Sequence, residues 1–151
     1  MGLDMYMYKK LYISQGDFFK EEYRDQVSVT KGGKDHPTIK SSRVKYIIEE
    51  IGYWRKANAI HKWFVDNIQK GHDDCGEYFV FPNKLQELKD LCLQVIEDGN
   101  KAPELLPTTS GCFFGGTEYD EYYFDDLHET VKIIDEALSD PDGDYYYSSS
   151  W

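Results

Sequence analysis

Apolar and polar residues alternate from Leu3 to Ile13, where Leu3, Met5 and Met7 interleave with Asp4, Tyr6 and Tyr8. That period of two predicts a strand with one buried face. Arg43 to Tyr53 repeats it through Val44, Tyr46 and Ile48, although Glu49-Glu50 also permits helix. Gln26 to Thr30 is short and β-branched, an expected edge strand, and residues 15–25 carry no clear period. The stretch KGGKDHPTIKSS, residues 31–42, is dense in turn formers and predicts an exposed loop. Tyr78 to Phe81 is a short strand expected to end at Pro82, and the closing YYYSSSW is a terminal strand expected to pair inside the sheet.

Three segments change to the helical period. Ala57, Ile60, Phe64 and Ile68 recur at three- and four-residue spacing, joined by His61 and Val65, with Gly71 placed to stop the helix. Leu85, Leu88, Cys92, Val95 and Ile96 form a second stripe, with Asn83 as its expected cap and Gly99 as its end. Tyr123/Phe124, Leu127, Val131, Ile134 and Leu138 form a third, with Thr117 as expected N-cap and Asp120 three residues on. Asn100 to Gly116 between them reads as a long loop, a kind that in compact domains is usually functional. Together these elements predict a single α+β domain over residues 1–151, with a mostly antiparallel sheet of four or five strands and three packed helices.

Composition narrows the class. At 151 residues the chain suits one domain that buries about two-thirds of its unfolded surface without needing a disulfide or metal. Aromatic content is 16%, with 13 tyrosines, which argues against disorder. Net charge is -11 but unevenly spread: residues 1–70 hold 13 Lys/Arg against 9 Asp/Glu, whereas residues 71–151 hold 4 against 19. Direct nucleic-acid binding is disfavoured, because phosphate contacts need a basic surface. Cys75, Cys92 and Cys112 are an odd number without framework spacing, which suggests a reducing compartment. With no signal-like segment and no run of membrane-spanning length, a cytoplasmic protein without a membrane partner is expected. Exposed aromatics leave a homodimer open.

Two blocks carry candidate chemistry. In GYWRKANAIHKWF, residues 52–64, Trp54, Arg55, Lys56, Asn58, His61 and Lys62 are expected at or just inside a helix N-terminus, with Arg55, Asn58 and Lys62 sharing one face. Guanidinium and ammonium groups there would neutralise phosphate while an aromatic stacks on a base. The same cations also suit pairing with the acidic half, and His61 suits a core edge. The second block is LPTTSGCFFGGTEYDEYYFDD, residues 106–126. Gly115-Gly116 lacks the lysine and the spacing of a phosphate loop, and Glu118, Asp120 and Glu121 would repel an anion at that turn. A ligand would instead meet Thr117, Tyr119, Tyr122 and backbone amides. Glu118, Asp120 and Asp125 also offer a divalent cation oxygen ligands, at a spacing that fits no standard metal loop. His72-x-x-Cys75 has no second thiol pair and is not a zinc signature. Cys112 with His61 or His128 has no local nucleophile signature.

The blocks GLDMYMYKK, GYWRKANAIHKWF, LLPTTSGCFFGGTEYDEYYF and YYYSSSW together resemble a small family of bacteriophage and prophage proteins, over nearly the whole chain. The resemblance brings no catalytic residues and no cofactor. It implies a viral accessory role in a host cytoplasm: host takeover, anti-defence or nucleotide metabolism. The expected function is therefore non-catalytic sequestration of a small nucleotide-like ligand, in a cleft between the two blocks. The alternatives are an acidic interaction protein that mimics DNA or blocks a host protein, and a metal-dependent hydrolase or transferase.

Overall fold

The computed structural model describes residues 2–151. Its strands are β1 (Asp4–Tyr12), β2 (Thr30–Lys31), β3 (Lys34–Asp35), β4 (Tyr46–Arg55), β5 (Glu77–Phe79) and β6 (Asp144–Ser150). The helices are α1 (Asn58–Asn67), α2 (Pro82–Glu97), the single turn α3 (Ala102–Leu105) and α4 (Glu121–Ser139). Four strands form one antiparallel sheet in the order β4-β1-β6-β5, and β2 and β3 form a separate hairpin. The chain is thus a single-domain α+β fold. No helix among the described residues is long and apolar enough to cross a membrane.

The terminal strand takes a central place, between β1 and β5. Its alternation turns Tyr145, Tyr147 and Ser149 inward, beside Met5 and Met7 of β1. The ring of Tyr147 stacks on Phe64 of α1, with centroids 3.9 Å apart. Helices α2 and α4 pack together over this inner face, burying Leu85, Leu88, Cys92 and Val95 against Leu127, Ile134 and Ala137. Burial pushes the Cys92 thiol up to about 12, so it is an inert core residue. Gly52 of β4 lies under α4: a Cβ there would sit 2.6 Å from Cγ2 of Ile133.

Several boundaries differ from the sequence expectation. Residues 26–29 are not a strand. The sheet signal at Thr30 belongs to the hairpin with Lys34–Asp35, turned by Gly32 and Gly33 at φ +63° and +77°. Two left-handed residues make the tight turn that suits the strand twist. The second predicted strand runs on to Arg55, because Trp54 and Arg55 continue the ladder opposite Met5 and Asp4. Pro82 opens α2 instead of ending a strand, since a helix's first turn needs no N–H there, and Asn83 lies inside the helix. Asp120, and not Thr117, caps α4 by accepting from the Tyr123 N–H at 3.1 Å. The long loop is partly helical, through a 3-10 turn at Gly99–Lys101 and α3.

Candidate functional site

The route from β4 into α1 is sharp. Lys56 sits at φ +60°, a conformation strained for a side chain with a Cβ, and its N–H donates to the Leu3 carbonyl at 2.8 Å. Two residues later Asn58 begins α1, where its side chain is buried. The Asn58 amide nitrogen donates to the carbonyls of Phe114 (3.1 Å) and Gly116 (2.8 Å), and its oxygen accepts from the Thr109 N–H at 3.0 Å. One side chain therefore holds both arms of the Thr108–Gly116 loop against the helix start. Gly115 completes the contact at φ +90°, where a Cβ would lie 3.0 Å from that of Lys56.

Between these segments and the start of α4 opens a cleft of about 310 Å³. Arg55, Lys56 and Asn58 form one wall, and Gly115, Gly116, Glu118, Asp120 and Tyr122 contribute from the second block. Tyr123, Asp125, Asp126 and Leu127 close it along α4. The two blocks thus share one cleft. Ala57, Ala59 and Ile60 contribute apolar surface, and the lining sets two cations against the carboxyl groups of Glu118, Asp120, Asp125 and Asp126. Lys56 has no ion-pair partner among the described residues, and Arg55 reaches only Asp4 at 4.0 Å. Burial pushes the Asp126 carboxyl up to about 7, with the charges of Asp125 and Asp120 adding to it. The neighbouring Tyr123 hydroxyl donates to the Leu106 carbonyl at 2.8 Å and is also raised by burial.

Not every sequence candidate lies here. Trp54 is only 3% exposed and donates its indole N–H to Thr130 at 2.9 Å, so it is a core residue under α4 and does not stack on a cleft ligand. His61 is 1% exposed on the other face of α1, held between the Tyr147 hydroxyl at 2.7 Å and Asp73 at 2.9 Å. Lys62 pairs with Asp66 one turn on and borders a separate indentation with Trp63 and Pro107. Thr117 turns its carbonyl toward the Thr108 hydroxyl, and the Tyr119 hydroxyl accepts from the Thr108 N–H at 3.4 Å. Both brace the loop and do not line the cleft. Arg55, Lys56, Asn58 and Tyr122 are the candidates that line it. The reason is local: Arg55 ends a strand, so the helical face drawn through Arg55, Asn58 and Lys62 does not exist.

Asp126 escaped the sequence reading. Its signal was a carboxylate three and four residues beyond Tyr123 and Tyr122, on the edge of the apolar stripe of α4. Among the described residues, no group of three or more His, Cys, Asp or Glu side chains is gathered to hold a metal ion. No protein family, curated protein or solved structure matches the chain.

Proposed function

We propose that this protein binds a compact nucleotide-like ligand in the cleft without transforming it. The observation that carries the reading is the division of the cleft into walls of opposite sign: Arg55 and Lys56 at the strand end, carboxylates along the start of α4. A ligand anionic at one end and rich in N–H donors at the other satisfies both. A phosphate would sit at Arg55 and Lys56, and the amino-bearing edge of a base would face Asp126 and its neighbours. The exposed Tyr122 ring is free to cover the base. The volume lies at the small end of the range of about 300–1,000 Å³ common for small-molecule sites. Four carboxylates disfavour a polyphosphate, so the ligand carries one phosphate, free or cyclised. Sequestration of such a molecule suits the accessory, anti-defence role that the phage resemblance implies.

Isothermal titration with nucleoside monophosphates and cyclic nucleotides, with inorganic phosphate as control, tests this directly. Saturable binding that Arg55→Ala weakens, while the melting temperature holds, is the expected result. Binding unchanged by Arg55→Ala sinks the site assignment.

A second reading rests on the exposed side of α4, which adjoins the cleft at Asp125. Glu121, Asp125 and Glu129 repeat at four-residue spacing on the exposed side of α4. Such a stripe would block a basic patch on a host protein, and its signature is a complex that salt dissociates.

A further inference from the structure

β4 is an edge strand: β1 occupies one side of it, and among the described residues no strand of the sheet lies on the other. From Lys45 to Glu50, six consecutive residues are exposed. They include Tyr46 at 51%, Ile47 at 41% and Ile48 at 62% exposure. Edge strands left in water are normally short, or interrupted by proline or by charge at their centre. This one is 10 residues long; Glu49, Glu50 and a bulge before Gly52 interrupt its middle, but Tyr46–Ile48 at its start form an unbroken, exposed apolar run. Its charges are also ordered. Lys45 precedes the apolar triplet, and Glu49 and Glu50 follow it. Reversing the direction exchanges the signs, so the segment complements itself when antiparallel. Neither Lys45 nor Glu49 has an ion-pair partner among the described residues.

We propose that β4 pairs antiparallel with β4 of a second copy of this chain, about a twofold axis through Ile47, joining the two four-stranded sheets into one. Paired residues lie on the same side of a sheet. A twofold axis perpendicular to it must therefore pass through a residue that faces its own copy. Three such centres keep the apolar triplet in the middle. Centring on Ile48 sets Ile47 against Glu49 and Tyr46 against Glu50. Centring on Tyr46 sets Lys45 against Ile47. Centring on Ile47 sets Tyr46 against Ile48 and Lys45 against Glu49, each twice by symmetry. Only that register matches apolar with apolar and cation with anion. Tyr12, 51% exposed and edge-on to Tyr46, extends the apolar strip on the outer face. The interface lies on β4's free edge, and the proposal is independent of what the cleft binds.

Sedimentation velocity over a concentration series reads the mass. A reversible dimer is expected for the native chain; a monomer at every concentration overturns the interface. Lys45→Glu and Glu49→Lys should each weaken association about tenfold, because each replaces two attractive cross-strand pairs by two repulsive ones. The combined Lys45→Glu/Glu49→Lys variant should return to near-native affinity, and failure to recover overturns the register. Oxidative cross-linking gives an independent check, with the exposed Cys75 and Cys112 replaced by serine. Ile47→Cys should form a reducible dimer and Ile48→Cys should not. Equal yields, or none from Ile47→Cys, also overturn it.

Discussion

The Asn58 amide nitrogen donates to the Phe114 carbonyl over 3.1 Å, joining the first turn of α1 to a loop more than fifty residues away. With its bonds to Gly116 and Thr109, it satisfies three backbone groups at once. Asn58→Ala leaves these groups without partners. Denaturant unfolding should show a loss of about 1–3 kcal/mol, the range for stranding buried hydrogen-bonding groups. Asn58→Asp should cost at least as much, because a carboxylate has no N–H for the Phe114 and Gly116 carbonyls. A loss no larger than that of an average surface substitution would mean that the loop is held by other contacts.

Lys56 separates folding from binding. Its positive φ is unfavourable for any residue with a Cβ. Lys56→Gly relieves that cost while loosening the unfolded chain, so stability should stay within about 1 kcal/mol of the native protein. The same change removes one of the two cleft cations, and affinity for a phosphate-bearing ligand should fall. Calorimetry and thermal unfolding on one sample measure both. Lost stability with unchanged affinity would remove Lys56 from the ligand site.

Asp126 predicts a pH dependence. Its folded-state pKa is raised to about 7, chiefly by burial. The folded state then keeps a proton over a range in which the unfolded carboxyl has lost it. The stability due to this group is complete below about pH 4, the ordinary carboxylate value, and is lost as pH rises through 7. Asp126→Asn should therefore be the more stable protein above pH 7, with the advantage vanishing toward pH 4. Partial solvent screening limits the gain to about 1 kcal/mol, or about 2–4 °C in Tm for a domain of this size. Thermal melts of both proteins from pH 4 to pH 9 measure it, and a constant difference across that range would contradict the assignment.

Gly52 reports on the packing of α4 over the sheet. A methyl group there meets Ile133 Cγ2 at 2.6 Å and Cδ1 at 2.8 Å. Gly52→Ala should destabilise by about 1–3 kcal/mol through overpacking. Adding Ile133→Val, which removes the Cδ1 methyl, should recover part of the loss, and equilibrium unfolding of the single and double variants tests the coupling.

The sequence by itself determined the elements whose period is long and regular. The alternation at Leu3–Ile13 and the stripes of Leu85–Ile96 and Tyr123–Leu138 each demand one buried face. Burial of apolar area is large enough to settle strand or helix locally. The closing tyrosine strand was legible in the same way, because an open aromatic edge would aggregate. Element ends were less legible, because a cap or a ladder partner decides them. Trp54 and Arg55 look like a helix start until β1 pairs with them, and Thr117 and Asp120 compete for the same cap. The site was legible only as two blocks of unusual composition. That they meet depends on the Asn58 bonds to Phe114, Gly116 and Thr109, which span a distance in sequence that no local period records. Tertiary packing also turned Trp54 and His61 into the core, where indole and imidazole find Thr130, Tyr147 and Asp73. It brought Asp126 into the cleft, where neighbouring elements remove the water that would otherwise keep its carboxyl ordinary. Desolvation is a property of surroundings, and those exist only once the chain has folded.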